Sequence, residues 1–201
     1  MKIDIQDVKF WMDAIRNSED RDRTLESFWD GQLKSKSWLI ENLEKNSRIA
    51  NANVVIHGGW NGVLASMLFN SNIGIKKIIS IDIDPSCEEI ARTINKRQEI
   101  EGKFIAVTAD MSEYEYDGIP DIVINTSCEH LFQPTYNKWF KNIPKSAKIV
   151  LQSNNYYELD EHVNCSNSLE EFINKSKLTD IMIKDQLELP KYKRFMIIGG
   201  K

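Results

Sequence analysis

The sequence predicts an α/β fold whose sheet is mostly parallel and is covered by helices on both faces, a doubly wound arrangement. Five short apolar runs alternate with helical patterns along most of the chain, and turn residues bound each run. Uninterrupted apolar runs of this length, flanked by helices, are typical of buried parallel strands. Two further strands near the C-terminus are joined only by Leu189, Pro190 and Lys191, and so short a connection requires an antiparallel pair. The expected sheet therefore has seven strands and ends in a hairpin.

The predicted elements alternate from the first strand onward. Strands are expected over residues 53–57, 77–85, 104–107, 121–125, 148–152, 180–188 and 192–198. Helices are expected over residues 61–70, 85–100, 133–141 and 169–175. The layout is thus a series of strand–helix units followed by the hairpin.

The segment before the first strand is predicted to be helical. A first helix over residues 4–17 would bury the residues that recur at helical spacing, Ile5, Val8, Trp11, Met12 and Ile15. A second helix is expected to begin after the N-cap Ser18 and to reach Lys45, with Gly31 as a candidate break. Its buried stripe would contain Leu25, Phe28, Trp29, Leu39, Ile40 and Leu43. These helices are interpreted as an extension or lid, residues 1–50, on a catalytic domain that spans residues 51–201.

Two polar residues, Gln32 and Lys36, fall in the middle of that stripe. A polar group on a packing face needs a partner or water, because burial without one costs free energy. Either Lys36 extends its ammonium group past the core into water, or both side chains reach a ligand held at the edge of the sheet.

Composition excludes several classes of function. With a formal net charge of -4 and a pI near 5.5, the chain has no overall positive field, which disfavours a long footprint on nucleic acid. No apolar run is long enough to predict a membrane-spanning helix. The three cysteines cannot all pair, and reduced thiols are typical of cytoplasmic proteins. These observations predict one cytoplasmic domain with a modest extension, and they leave its oligomeric state open.

A glycine-rich turn follows the first predicted strand. The apolar run Val54–His57 enters a cluster with Gly58, Gly59 and Gly62, and a helical pattern comes next. Strand, glycine turn and helix in this order bring backbone N–H groups close to a nucleotide-like ligand. The same sequence is also compatible with an ordinary tight turn. Asp82 ends the second strand twenty positions after Gly62 (82 − 62 = 20), where a carboxylate can accept both ribose hydroxyls of such a ligand.

With these landmarks, the chain from about Asn53 onward resembles the class I S-adenosylmethionine-dependent methyltransferases. The resemblance implies a Rossmann-like sheet whose last strand is antiparallel and lies between the fifth and sixth, with S-adenosylmethionine as the cofactor. By the same resemblance, the cofactor would contact Gly58, Gly59, Trp60, Gly62, Asp82, Ile83, Asp110, Met111 and Asn125. Asp82 would then bind ribose, Ile83 would pack on adenine, and Asp110 with Met111 would contact the adenine amine and ring. Asn125, at the end of the fourth strand, would face the reactive methyl group.

The first motif departs from the family pattern at two positions. Ile56 stands where the family has an acid that organises the turn, and Trp60 stands where it has the middle glycine. Lys36 or Gln32 could supply a partner for the cofactor carboxylate instead. Trp60 either covers the cofactor or packs against the lid, and large aromatic side chains more often fill volume.

The segment after the fourth strand is similar to that of methyltransferases that act on small molecules, in which a Glu-His pair precedes an apolar residue. Here the pair is Glu129-His130. The Asn/Asp-Pro-Pro-aromatic sequence of the enzymes that methylate exocyclic amines of nucleic acids is absent. The fourth and fifth strands are expected to be neighbours, so the segments that follow them should meet at one edge of the sheet. The residues expected to face the acceptor are Ser127, Glu129, Asn154 and Asn155.

Three interpretations of this edge remain open. In the first, a histidine removes a proton from the acceptor, and the candidate catalytic residues are His130, then His162, with Cys128 beside them. In the second, His130, His162, Cys128 and Cys165 hold a metal, although their spacings match no strong zinc signature. In the third, the Glu-His pairs only fix local backbone. No metal ligand is assigned from the sequence.

The sequence therefore predicts an S-adenosylmethionine-dependent methyltransferase that acts on a small polar metabolite. An altered first motif is also compatible with transfer of the aminocarboxypropyl group or with cleavage of the cofactor. A noncatalytic cofactor-binding or interaction module, whose first motif has decayed, is a further alternative. The last alternative is an RNA or protein methyltransferase that uses Lys191, Lys193 and Arg194.

Overall fold

The computed structural model describes residues 3–46 and 49–201, and the strands in these ranges number seven. They are β1 (Ala52–His57), β2 (Ile75–Asp82), β3 (Phe104–Thr108), β4 (Ile122–Asn125), β5 (Lys148–Asn154), β6 (Asp180–Glu188) and β7 (Lys193–Gly200). The helices are α1 (Ile5–Asn17), α2 (Arg21–Glu26), α3 (Asp30–Asn46), α4 (Val63–Phe69), α5 (Ser86–Ile94), α6 (Lys96–Ile100), α7 (Gln133–Asn142) and α8 (Leu169–Ser176). The strand order is β3-β2-β1-β4-β5-β7-β6, as the predicted fold class requires.

The chain divides into two compact units, one ending at Asp110 and one beginning at Met111. The first unit contains α1–α6 and the parallel strands β1, β2 and β3, with Val54 opposite Ile78 and Ile78 opposite Phe104. Apolar side chains of these strands, such as Ile56, Ile78 and Ile81, are fully buried. The predicted division at residue 50 stays a prediction, and residues 1, 2, 47 and 48 of that extension lie outside the described part.

In the second unit, β4 and β5 are parallel, whereas β7 runs antiparallel to both β5 and β6. Both predictions for the C-terminal end are confirmed, because β6 and β7 form a hairpin and β7 lies between β5 and β6. The core of this unit packs around the buried Trp139, Ile149 and Phe195. Its hydrogen-bonded register brings Asn154, at the end of β5, opposite Arg194 of β7.

The prediction for the buried face of α1 was wrong for three of its five residues, whereas Trp11 and Ile15 are half-buried. Ile5, Val8 and Met12 are exposed, and the helix instead buries Ala14 and the carboxylate of Asp7. Asp7 accepts two hydrogen bonds from the Arg97 guanidinium, at 3.0 and 2.8 Å, and one from the Asn70 amide at 2.5 Å. A charged residue can occupy a buried face when its partners satisfy it, and apolar periodicity alone does not reveal such partners.

The prediction of one long second helix was also wrong, because two helices, α2 and α3, occupy that segment. Asp20, not Ser18, is the N-cap of α2, and the helix ends where the Ser27 hydroxyl bonds the Thr24 carbonyl at 2.6 Å. The interruption shifts the helical phase, so Leu25 and Trp29 are exposed while Leu39 and Leu43 are fully buried. In the described ranges, none of the helices is both apolar and long enough to cross a membrane.

Candidate functional site

The turn after β1 is shaped by backbone conformations that ordinary residues avoid. Gly58, Trp60 and Gly62 all have positive φ, at 64°, 46° and 73°. Between them, a Cβ on Gly59 would lie 2.0 Å from the Ser80 hydroxyl, so a side chain there would require that hydroxyl to move. A tryptophan in the left-handed region is strained, and such strain persists where surrounding contacts impose it, often at functional sites. The turn therefore exposes backbone in the way a bound ligand requires.

Asp82 holds this turn in place. One carboxylate oxygen accepts a hydrogen bond from the Trp60 backbone N–H at 2.7 Å, and the other accepts from the Asp84 N–H at 3.1 Å. The position of the family's turn-organising acid is occupied by Ile56, which is buried in β1. Asp82 thus supplies the anchoring carboxylate from the neighbouring strand. Each of its oxygens retains a second acceptor direction, so the group can still bind a ligand hydroxyl.

A cleft opens beside Asp82, between the ends of β2 and β3 and the helix α5. Trp60, Asp82, Cys87 and Thr108 contribute to its lining. Burial raises the pKa of the Cys87 thiol to about 11, so it is protonated at neutral pH. Ile83 lies at the end of β2 with 70% of its surface exposed, and it offers a flat apolar contact. The first unit therefore combines a glycine turn, a carboxylate and a small cleft.

The N-terminal helices of the first unit also carry polar side chains with close partners. The Arg23 guanidinium of α2 bonds the Asp84 carboxylate at 2.5 Å and the Ser86 hydroxyl at 2.8 Å. On α3, the buried Lys36 donates its ammonium to the Gln32 side-chain carbonyl at 2.6 Å. The two residues predicted from the α3 stripe thus contact each other, and their role toward a ligand stays a prediction.

In the second unit, Asn125 connects three of the predicted site segments. Its side-chain oxygen accepts from the Ser127 backbone N–H at 2.8 Å, and its amide nitrogen lies 3.5 Å from the Met111 sulfur. Asn125 is completely buried at the end of β4. These contacts fix the start of the short 3-10 helix Cys128–His130. Asp110, the last residue of the first unit, is exposed.

That 3-10 helix and the loop after β5 form a cluster of Glu129, His130 and His162, which we call the His-Glu cluster. One ligand-type atom from each residue lies within 4.8 Å of the others. The imidazole rings meet edge to face, with 4.7 Å between their centroids. The Asn154 amide donates to Glu129 Oε1 at 2.6 Å, so the end of β5 sets the position of the carboxylate.

The histidines of the cluster are suited to accept a proton or a cation. His162 Nδ1 lies 2.6 Å from the Tyr156 carbonyl oxygen, which can only accept. In the neutral ring, Nδ1 therefore carries the hydrogen and Nε2 presents its lone pair. Desolvation lowers the pKa of His130, and the neighbouring His162 lowers it further, against the opposing effect of Glu129. Both effects favour a neutral imidazole at His130 at physiological pH.

Two other predicted residues in this unit have structural contacts. Cys128 is buried, burial raises the pKa of its thiol well above the usual range, and the thiol faces the Asn125 carbonyl at 3.7 Å. It is therefore a protonated core residue in this arrangement, not a ready base or nucleophile. The Asn155 side chain accepts from the Lys193 backbone N–H at 2.7 Å, a contact that joins the loop to β7.

Sequence reasoning missed Arg194 as part of this region. Its side chain is buried, donates to the Thr126 carbonyl and to the Gln152 side chain, and lies 3.7 Å from Glu129 Oε1. It therefore balances the charge of Glu129. Because it is buried, it does not contribute to the basic surface that the RNA methyltransferase alternative requires. The available signal was its place in β7, because a strand that lies between two others and under helices buries both of its faces.

Comparisons with known proteins identify the fold. No protein-family model matches the chain, and no curated protein matches it in sequence. Among solved structures, the N-methyltransferase NodS from Bradyrhizobium japonicum WM9, in complex with S-adenosyl-L-homocysteine, superimposes with a TM-score of 0.68 at 11% identity, over 96% of this chain and 99% of that one.

Two other structures resemble the chain to a similar degree. The pyocyanin biosynthetic protein PhzM gives a TM-score of 0.63 at 14% identity, over 94% of this chain and 62% of that one. MtNAS, in complex with MTA and tNA, gives 0.62 at 13% identity, over 97% of this chain and 69% of that one. The strand order and these similarities together show that the chain has the class I methyltransferase fold.

Proposed function

We propose that the protein is an S-adenosylmethionine-dependent methyltransferase that acts on a small polar metabolite in the cytoplasm. The observation that carries the proposal is the turn after β1, whose positive-φ backbone is anchored by Asp82 beside a small cleft. A glycine turn with a carboxylate at the end of the next strand suits a nucleoside whose ribose hydroxyls the carboxylate accepts. NodS, with the same fold, is described in complex with S-adenosyl-L-homocysteine, which supports the choice of cofactor.

In this proposal, Gly58, Gly59, Trp60 and Gly62 lie under the cofactor, and Asp82 binds its ribose. Ile83, Asp110 and Met111 contact adenine, and Asn125 faces the methionine end. Lys36 and Gln32 are candidates for the cofactor carboxylate. These assignments follow the family pattern and stay predictions.

The chemistry assigned to the second unit is activation of the acceptor. Methyl transfer forms a bond from the acceptor atom to the methyl carbon, breaks the sulfur–methyl bond, and requires loss of a proton from an O–H, N–H or S–H acceptor. The free Nε2 lone pair of His162 and the neutral imidazole of His130 can accept that proton. Ser127, Glu129 and Asn154 would position the acceptor, Glu129 and Asn154 through their mutual hydrogen bond.

A second reaction is favoured by a specific feature. Trp60 and Ile56 alter the part of the motif that normally contacts the methionine end of the cofactor, and MtNAS, with a similar fold, is described in complex with MTA. Transfer of the aminocarboxypropyl group would release methylthioadenosine, whereas methyl transfer releases S-adenosylhomocysteine. Chromatographic identification of the nucleoside product separates the two reactions.

The test of cofactor binding is calorimetry with S-adenosylmethionine and S-adenosylhomocysteine. We expect micromolar binding by the wild type and at least about tenfold weaker binding by Asp82→Asn, because charge-assisted bonds to ribose are lost. Asp84→Asn, which changes a carboxylate that faces Arg23 and Ser86, is the matched control. Thermal unfolding of each variant checks that the turn is intact. A folded wild type that binds neither ligand would overturn the proposal and favour a noncatalytic interaction module whose first motif has decayed.

A further inference from the structure

The His-Glu cluster has the composition of a metal site with three protein ligands. It joins one carboxylate and two imidazoles, whose nearest ligand-type atoms all lie within 4.8 Å of one another. Glu129 and His130 are adjacent on the 3-10 helix, and His162 comes from the loop after β5. Two histidines and a carboxylate bind zinc in hydrolases and iron in oxygenases, and in both classes they leave positions open for water or substrate.

An unpartnered buried oxygen independently indicates a missing ligand. Glu129 is 2% exposed, and its Oε1 accepts from Asn154, while its Oε2 has no hydrogen-bond partner among the described residues. A buried carboxylate oxygen without a donor is costly, and such groups in native structures are usually explained by a bound water or ion. A cation shared with the two imidazoles would satisfy this oxygen.

The surrounding contacts are those that orient metal ligands. Histidines bound to metal usually donate their second ring N–H to a carbonyl or carboxylate, and His162 Nδ1 contacts the Tyr156 carbonyl in this way. Asn154 holds the ligating carboxylate through its other oxygen. The Glu129 backbone carbonyl accepts from the Asn164 N–H at 2.9 Å, which ties the loop that carries His162 to the 3-10 helix.

The thiols expected from the sequence as possible ligands are engaged elsewhere. Cys165 Sγ contacts the Tyr156 carbonyl at 3.2 Å and the Asn154 side-chain oxygen at 3.4 Å, and Cys128 faces the Asn125 carbonyl. Carbonyl oxygens accept, so both sulfurs are donors and carry their protons. The ligand set of this cluster therefore consists of nitrogen and oxygen without sulfur.

We propose that Glu129, His130 and His162 bind one divalent first-row transition metal ion, with zinc as the reference ion, and leave a coordination position open. Arg194, at 3.7 Å from Glu129, adds positive charge, so an anionic oxygen or sulfur is the favoured fourth ligand. Metal binding itself does not depend on the proposed function. Its role does rest on that function and replaces the proton-accepting role of the two histidines, whose lone pairs the ion occupies. The ion would bind the acceptor atom and lower its pKa, so that the proton is lost to solvent.

The experiment is a titration of metal-stripped protein with Co²⁺, followed by visible absorption, and with Zn²⁺, followed by calorimetry. We expect one equivalent to bind. Glu129→Gln and His162→Gln should each weaken binding by more than about tenfold, because loss of even an outer contact to a metal ligand has that effect. His130→Asn should do the same, and because His130 is exposed, this variant tests the site without disturbing the core.

Two controls make the result decisive. Asp160→Asn removes an exposed carboxylate of the same loop and should leave the affinity unchanged, and Cys165→Ser should do so as well. No binding by the wild type, or equal binding by the His130→Asn and wild-type proteins, would overturn the proposal. Calorimetry with S-adenosylhomocysteine on the same samples keeps the two proposals separate, because cofactor binding depends on Asp82 and metal binding on the His-Glu cluster.

Discussion

The turn after β1 and the His-Glu cluster are built by opposite means. The turn is made of backbone: Gly58 and Gly62 supply positive φ, and Gly59 supplies the absence of a side chain. The cluster is made of side chains, which Asn154 and the Tyr156 carbonyl hold from outside. The backbone turn should lose its geometry when an atom is added to it, whereas the side-chain cluster should lose its geometry when a supporting hydrogen bond is removed.

This difference explains why the sequence predicts the turn more directly than it predicts the cluster. A glycine turn depends on neighbouring residues, so its spacing after a strand predicts it directly. The cluster depends on contacts between residues 129 and 154, and between 156 and 162, which the chain brings together only in the fold. Residue types could suggest the cluster, but its ligand atoms and their partners could not be derived.

The largest effect is expected from adding one methyl group to the turn, in Gly62→Ala. A Cβ there would lie 2.7 Å from the Asn95 amide nitrogen and 2.9 Å from the Ala91 Cβ, at a φ of +73°. Left-handed strain and overpacking together should lower the free energy of unfolding by about 3 kcal/mol. Urea unfolding measures this change.

Gly102→Ala is the control for strain alone. Gly102 has a φ of +70°, but a Cβ added there would have nothing within 4 Å, so this variant should cost about 1 kcal/mol. Equal costs at the two positions would mean that crowding does not shape the turn, and that the site after β1 does not depend on the close approach of its backbone to α5.

A smaller effect is expected when a hydrogen bond is removed from the cluster, in Asn154→Ala. The Asn154 side chain donates to Glu129 and accepts from the Tyr156 N–H, and it is completely enclosed. Its loss leaves the Glu129 carboxylate with less support, and the expected cost is about 2 kcal/mol in the free energy of unfolding. The metal affinity should fall by about tenfold in parallel.

The neighbouring amide gives a matched comparison. Asn155→Ala removes one exposed contact to the Lys193 N–H and should cost less than about 1 kcal/mol, with no change in metal affinity. If the two variants behave alike, Asn154 is only one more loop contact and does not position Glu129.

Most of the fold was predictable because its signals are local and repeated. The β6 bounds matched the prediction, and β7, β5 and α8 differed by no more than two residues at each end. The N-terminal helices were less predictable for a physical reason. Their buried face depends on the charged Asp7 and on a helix break at Ser27, and both depend on hydrogen bonds that apolar spacing does not encode.

For the site, the sequence predicted the participating segments more accurately than the roles of individual residues. Asp82 was expected to bind ribose, and the structure adds that it also anchors Trp60, the residue in the place of the family glycine. Cys128 was expected near the chemistry, and it is buried in the core beside it. Arg194 was expected on the surface, yet it is buried against Glu129. Charged and polar residues in the sequence indicate where a site lies, but the burial of each side chain in the fold determines its role.

The smallest of the three main effects concerns the buried carboxylate of the first unit and depends on pH. Burial acts to raise the pKa of Asp7, but hydrogen bonds from Arg97 and Asn70 outweigh it, so the pKa lies below the ordinary aspartate value of 3.8. A carboxyl whose pKa is depressed in the folded state stabilises the protein above its unfolded pKa, and this stabilisation is lost as pH falls through the folded pKa. Asp7→Asn should therefore be less stable than wild type near neutral pH and should approach it as the pH falls below 3.8 and through the folded-state pKa.

The expected difference near neutral pH is only about 1 kcal/mol, less than for a fully buried pair, because Arg97 keeps part of its guanidinium in water. Urea unfolding at several pH values measures it, and Asp22→Asn, an exposed carboxylate of α2, should show a difference that does not vary with pH. A difference for Asp7→Asn that stays constant down to acid pH would mean that its amide partners, not its charge, anchor α1. Unlike the His-Glu cluster, this carboxylate has guanidinium and amide donors on both of its oxygens, and for that reason we assign it a structural role and not a ligand.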